Sequence, residues 1–470
     1  MTVTTENSEH AGPAYDLVVV SDQVVLGERV APAGIAIVGE QIAAILDADL
    51  ARRPGLAARV LDLTGKVILP GPIDAHVHHR TLNATVDSWE SLTKGSALGG
   101  MTTVIPYIQV PDSMPLGEGL AHFRDEGERE SVTDFAMHAR LNGPSDAILE
   151  QIPDAFKLGV PSFKLFMAYR KRGIMWDGIP LMKVLKLIGQ HGGIWCCHAE
   201  NGDLIDYLED EYHAKGAYTA DNYLAIRPQL AEVEAAFRAM QLAKQLECSL
   251  YLVHTSAAGV LPLTREAQRS GQRVVVETCP QYLTLTNDLT PAGGGRMKFA
   301  PPARSQADVD AIWAGVVNGD VQVICSDHSP WAKEQKLWPT ERFYEIPFGA
   351  PGAETILPVL WSEGVAKGRI SVQKLVEMLC TNPARVFGLA PRKGALTPGA
   401  DADLVAIDPT VRWTLDEATL QTEAGYSNWH GWELQGKPVL SLIRGSIVLE
   451  DGQLRVRPGH GKHLPRGRLD

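Results

Sequence analysis

The sequence predicts an α/β fold: a parallel (β/α)8 TIM-like barrel carrying a small β-sandwich domain formed from both chain ends. Three observations predict it. Beyond Ile73, apolar strand-like runs alternate with amphipathic helical ones along most of the chain. The stretches before and after that region read as short strands broken by Gly and Pro. At 470 residues, the chain is long enough for a large core and a second module.

The first strands are YDLVVVSDQVVL, GIAIVGEQIAAIL and the start of KVILPGPIDAHVH, which place residues 1–68 in the small β unit. The barrel is expected over residues 69–394. Its strands include TTVIPYI, DFAMHARL, SFKLFMA, GIWCCHAE, SLYLVHTSA, RVVVETC and VQVICSDHS, with helices such as IPLMKVLKLIGQHG and QLAEVEAAFRAMQLAKQLE between them. Repeated β-then-α units of this size close into a parallel barrel with an outer ring of helices. After Gly394, short strands return in ADLVAIDP and PVLSLIRGSIVLEDGQ, so residues 395–455 are expected to pair with the chain start. The tail, residues 456–470, is basic and rich in Pro and Gly, and reads as a flexible arm or a subunit-crossing segment.

Composition narrows the function. A hydrophobic fraction of 45% and a charged fraction of 21% are those of a globular protein. A net charge of -12 with no basic stripe argues against nucleic acid, whose binding needs clustered Lys and Arg. Cys196, Cys197, Cys248, Cys279, Cys325 and Cys380 show no CxxC spacing and read as buried free thiols. The N-terminal residues lack a secretory signal and no segment is long and apolar enough to span a bilayer, so a cytoplasmic enzyme without membrane contact is expected.

Six side chains carry the chemistry. His76 and His78 in DAHVH lie two apart after an apolar run, so on a strand both imidazoles share a face and can grip one metal. Lys164 lies in PSFKLFMAY among apolar neighbours, where an ammonium is costly unless paired or altered. A salt bridge is one outcome. The other is a neutral amine that adds carbon dioxide, giving a carbamate able to bridge two cations about 3.5–4 Å apart. His198 in IWCCHAEN and His254 in LYLVHTSA follow apolar runs that bring them to the same barrel rim, placed to hold a second metal. Asp327 in VICSDHSP ends another strand, where a hydrolytic site needs a ligand and a general base. Each residue has a bland reading as a satisfied core polar group, but all six in this order at strand ends are improbable as accident.

This ordered set resembles the amidohydrolase superfamily. SFKLFMAY, CHAENGDLID, YLVHTSA, ETCPQYL, GAPGAET, NPARVFGL, GALTPGADADLV and PGHGK are similar to its dihydropyrimidinase and hydantoinase branch over nearly the whole chain. The resemblance implies two zinc ions, with other divalent metals possible, and a small cyclic amide as substrate. His76, His78 and Asp327 would bind the first ion, His198 and His254 the second, and an N6-carboxylated Lys164 would bridge them. It further implies a metal-bridging hydroxide with a pKa of about 7 as nucleophile, Asp327 as proton shuttle and Tyr169 as hydrogen-bond donor to the oxyanion. Cys279 and His328 are supporting residues, and a homotetramer is implied.

Four positions depart from that branch. Arg80 stands where dihydroorotases place a carboxylate-binding arginine, and is either that or a salt-bridged residue at the barrel mouth. Gln109 falls near their carboxylate-binding Asn, Ala300 replaces a common Ser, and Phe348 replaces an Asn whose backbone contacts the ring. All four are expected to bind substrate. Bulk from Phe348, with Trp176 or Trp331 if they line the mouth, would suit a ring bearing a non-standard substituent.

The primary expectation is therefore a hydrolase of hydantoins, dihydropyrimidines or related cyclic ureides and imides. One alternative is a dihydroorotase-like enzyme taking a carboxylated ring at Arg80. Another is a non-enzymatic scaffold related to dihydropyrimidinases, which the complete ligand set opposes.

Overall fold

The computed structural model describes residues 13–79 and 85–469. The β-branched residues of the chain start form β1 (Tyr15–Leu26), which pairs antiparallel with β2 (Arg29–Val38), itself paired with β3 (Gln41–Leu46). β4 (Ala57–Asp62) and β5 (Val67–Pro70) lie parallel to β1.

The chain then enters the barrel. Its strands are β6 (Ile73–His78), β7 (Thr103–Gln109), the interrupted pair β8 (Asp134–Phe135) and β9 (His138–Arg140), β10 (Ser162–Phe166), β11 (Ile194–His198), β12 (Ser249–Leu252), β13 (Val274–Thr278) and β14 (Val323–Ile324). Every pairing among them is parallel and follows chain order. The ring closes where Val77 bridges His328, with the His78 amide donating to the His328 carbonyl at 2.8 Å.

β15 (Leu404–Thr414), β16 (Glu433–Ile443), β17 (Ser446–Glu450) and β18 (Gln453–Leu454) form an antiparallel meander. β15 pairs with β5, Leu404 opposite Pro70 and Ile407 opposite Val67, so both ends of the chain share one mixed sheet.

The period of two along each barrel strand decides what faces the interior. Phe163 and Leu165 pack outward beneath the helices, which turns Lys164 inward. In β11, Trp195 and Cys197 face out, whereas Ile194 and Cys196 face in and His198 follows their direction. In β9, Ala139 faces out, so His138 and Arg140 share the interior face. All six cysteines are buried and unpaired.

The tail is no free arm. Leu464 donates its amide to Phe135 at 2.7 Å, Arg466 to Gly159 at 3.0 Å and Leu469 to Gly192 at 2.7 Å, which lays it across the N-terminal end of the barrel. Leu464 and Leu469 join Phe387 in the inner-barrel core, and the Arg466 guanidinium donates to Ser162 Oγ at 2.9 Å. Three anchors do this work, spaced too irregularly among Pro and Gly residues to form a periodic signal.

A buried ionic cluster joins the barrel to the β domain. Lys393 Nζ lies 2.6 Å from Asp134, 2.9 Å from Asp401 and 2.6 Å from Asp403, and Arg444 adds a second cation to Asp134. With an ammonium at their centre, these three carboxylates form a salt bridge rather than a metal site. Removing one partner of a buried ion pair costs about 3–5 kcal/mol, because the remaining charges stay desolvated. Lys393→Met is expected to lower the urea midpoint of unfolding at pH 8 clearly; an unchanged midpoint would show that the cluster does not hold the domains together.

Candidate metal centre

The chemistry-bearing residues gather at the C-terminal rim of the barrel, where loops succeed strands. Among the described residues, six non-glycine residues have positive φ, and three of them stand here: Tyr169 (70°), His254 (40°) and Asp327 (51°). Left-handed backbone at non-glycine residues costs energy that the surrounding structure must supply, and it concentrates at functional sites.

His76 Nε2 lies 3.0 Å and His78 Nε2 3.3 Å from Asp327 Oδ1. Glu277 Oε1, buried in the barrel, receives the His76 Nδ1–H at 2.7 Å, which fixes the tautomer and leaves Nε2 a bare lone pair. Burial pushes the Asp327 carboxyl up, but the neighbouring His76 and His78 imidazoles outweigh it and hold the group well below the usual carboxylate range. Electron pairs therefore converge on one point, an arrangement that requires a proton or a cation between them.

The second pair is built likewise. His198 Nδ1 faces His254 Nε2 at 3.0 Å, and His198 Nε2 donates to Glu200 Oε2 at 2.7 Å, so its proton sits away from His254. Glu200 is in turn held by Arg227 at 2.6 Å; burial raises its pKa, yet Arg227 and His198 bring it to about 2. Burial pulls the His254 pKa well below that of a free imidazole, which suits a neutral ligand.

Lys164 is 1% exposed, and its Nζ makes no hydrogen bond or ion pair among the described residues. Its Nζ lies over the rings of Tyr107 and Phe166, at 4.9 and 5.4 Å. Burial lowers its pKa against the opposing pull of Asp327 and Glu277. The salt bridge considered from the sequence is absent among these residues. Ligand atoms of His76, His78 and Asp327 all lie within 4.8 Å of one another. This donor set, with the facing histidine pair and an unpaired lysine, fits divalent cations.

These groups open into a cavity of about 120 Å³. Tyr169, Ala300, Phe348 and Trp331 line it, and Trp331 Nε1 donates to the Phe348 carbonyl at 2.6 Å. The Tyr169 hydroxyl makes no hydrogen bond within the described residues, and its ring stands 5.0 Å from that of His198. Gln109 is not in that lining; it bonds Arg140 and Asn142 at the strand end. Trp176 is buried in the layer between barrel and helices, away from the mouth. Arg80 lies outside the described residues. His328 supports the rim, donating to Asp87 at 2.8 Å and accepting from the Gly352 amide at 3.0 Å.

Sequence reasoning missed Glu277, Glu200 and Arg140. Glu277 in VVVET carries the same signal that exposed Lys164, a charge inside an apolar strand. Glu200 follows His198 by two residues, as His78 follows His76.

The sequence pattern described as the Amidohydrolase family matches residues 260–448. A D-hydantoinase from Ralstonia pickettii is 36% identical over 420 residues, 88% of this chain and 91% of that protein. A D-hydantoinase from Rhizobium radiobacter is 33% identical over 459 residues, 96% of this chain and 99% of its own. The crystal structure of dihydropyrimidinase from Brevibacillus agri superposes with a TM-score of 0.90 at 32% identity, covering 96% of this chain and 99% of that one.

Loss of a carboxylate that orients a ligating histidine typically weakens metal binding about 10- to 100-fold. Glu277→Gln is expected to lose metal to a competing chelator that much more readily than wild type, with circular dichroism unchanged; equal retention would make Glu277 a packing residue only.

Proposed function

Because this chain belongs to the hydantoinase branch of the amidohydrolase family, we propose that it opens the ring of a hydantoin, dihydropyrimidine or related cyclic ureide with two zinc ions. It is a hydrolase of carbon–nitrogen bonds in cyclic amides. The reading is carried by the convergence of unprotonated donors from His76, His78 and Asp327 beside the His198–His254 pair and the unpaired Lys164.

His76, His78 and Asp327 would hold one ion, and His198 and His254 the other. The Lys164 amine, when neutral, would add to carbon dioxide with loss of a proton, and the resulting carbamate would join the ligand set. The bound ions would supply an acidified water and polarise the scissile carbonyl. Asp327, kept ionised by His76 and His78, takes the proton from the attacking water and returns it to the departing ring nitrogen. Tyr169 donates to the carbonyl oxygen as negative charge grows there; burial pushes its phenol up to about 12, so the donor keeps its proton. One water is consumed: the carbonyl carbon becomes a carboxylate and the nitrogen the terminal amide of a carbamoyl group. Phe348 and Trp331 form the wall that faces the ring.

The homotetramer implied by the resemblance is part of this proposal. Ile179, Tyr207 and Leu230, exposed by 66%, 65% and 64% on barrel helices, support self-association.

Asp327→Asn is expected to cut kcat on hydantoin by about 10²–10⁴-fold, the range for a lost general acid–base group. Near-wild-type turnover would remove Asp327 from proton transfer. Lys164→Ala is expected to lose activity together with the metals, and millimolar propionate is expected to restore part of both. Retained metal and activity without the lysine would overturn the carbamate.

A further inference from the structure

Arg140 stands in the wall of the metal cavity with no counter-ion among the described residues. It ends β9, in register with Gln109 of β7 on one side and Lys164 of β10 on the other. One guanidinium nitrogen, Nη1, donates to Gln109 Oε1. The Gln109 amide donates to Asn142 at 2.8 Å, and Asn142 donates to Asp112 at 2.6 Å. Two neutral amides thus separate Arg140 from the carboxylate at the end of that chain, fixing the guanidinium without neutralising it. Nε is buried with no partner, and the group lies 5.2 Å over the Phe166 ring. Burial, then the neighbouring Arg172, lower its pKa to about 10, so the charge persists at neutral pH.

Arg172 repeats the pattern from the loop after β10. It makes no ion pair among the described residues, and its guanidinium lies 5.0 Å from the Tyr169 ring centre and 5.1 Å from that of Phe348. The other cations near Phe348 are occupied: Arg227 by Glu200, and Lys298 by the carbonyls of Phe343 and Tyr344. Arg140 and Arg172 also line a second, outer cavity of about 560 Å³. Among the described residues, the one carboxylate lining it is Asp112, already engaged by Asn142.

A guanidinium held in this wall with its Nε buried and no ion pair among the described residues is costly, and an anionic ligand offsets that cost; Arg172, exposed beside it, adds a second positive charge. Planar guanidiniums match carboxylate geometry in particular. The two cavities share Arg140, Arg172 and Ile174, so a substituent reaching from a ring at the metal centre into the outer cavity would pass these two arginines. We infer that the cyclic amide opened here bears a carboxylate-terminated substituent, bound by Arg140 and Arg172 where the metal cavity meets the outer one. This inference rests on the cyclic-amide reading above and adds the substrate class to it.

The test compares 5-(2-carboxyethyl)hydantoin with its neutral isostere 5-(2-carbamoylethyl)hydantoin on the metal-loaded protein, alongside unsubstituted hydantoin. A charge-assisted contact of this kind is expected to favour the acid by about 10- to 100-fold in kcat/KM. Arg140→Met is expected to bring the ratio of kcat/KM for the acid over the carbamoyl compound to about one, whatever its effect on the rate common to both. Arg172→Met, at a more exposed position where misfolding is not at issue, is expected to reduce the preference in the same direction. Calorimetric binding of the ring-opened products, N-carbamoylglutamate against N-carbamoylglutamine, provides a readout independent of turnover. If hydantoins are opened with no preference for the acid, or Arg140→Met slows both compounds equally, this inference falls and the hydrolase reading stands. If no ring is opened yet the acid binds preferentially through Arg140, the anion site stands and the hydrolase reading falls.

Discussion

Oxygen Oε1 of Glu277 accepts both the His76 Nδ1–H and the backbone amide of His254, each at 2.7 Å. Those two hydrogen bonds tie together the halves of the centre. One sets the tautomer that turns His76 Nε2 towards Asp327; the other braces the left-handed backbone that aims His254 at His198. A carboxylate in a dry barrel is expensive unless its lone pairs are used. Here the use is to fix two histidines from two strands, β6 and the end of β12, relative to β13.

Rigidity is distributed in the same way around the rim. Asp327, His254 and Tyr169 all occupy positive φ, and each follows a strand locked in the parallel sheet. Strain at those corners persists because the barrel over-determines it. Beyond the histidines and Asp327 the wall is less balanced: Glu200 pairs with Arg227, while Arg140 and Arg172 make no ion pair among the described residues. The centre itself is of a common kind, and the individuality of this protein lies in its wall.

How much of this was legible follows from what kind of signal each residue gives. Period-two alternation interrupted by a polar residue betrayed Lys164, and strand-end position betrayed His198, His254 and Asp327. Glu277 and Arg140 interrupt their strands just as visibly, but a lone acid or arginine has many bland explanations until its neighbours are known. Gln109 was placed at the right strand end, but its bond to Arg140 was not foreseen, since which way an amide turns depends on the residue across the ladder. Trp176 could not be assigned to mouth or core without the helix that covers it. The tail misled because composition averages over residues, and three anchors among prolines and glycines leave the average untouched.

The way the two chain ends are used bears on how the protein is made. β5 has no partner in β15 until residues 404–407 have been synthesised, and the barrel floor is incomplete until residue 469 is in place. A nascent chain that has already formed most of the (β/α)8 ring therefore still exposes Phe387, the Ser162 hydroxyl and the open ends of several strands. Such long-range pairings fold slowly, and unpaired apolar strand ends invite association with other chains. The floor is thus closed after the ring itself, and the interval between the two is the period in which newly made chains are most exposed to aggregation.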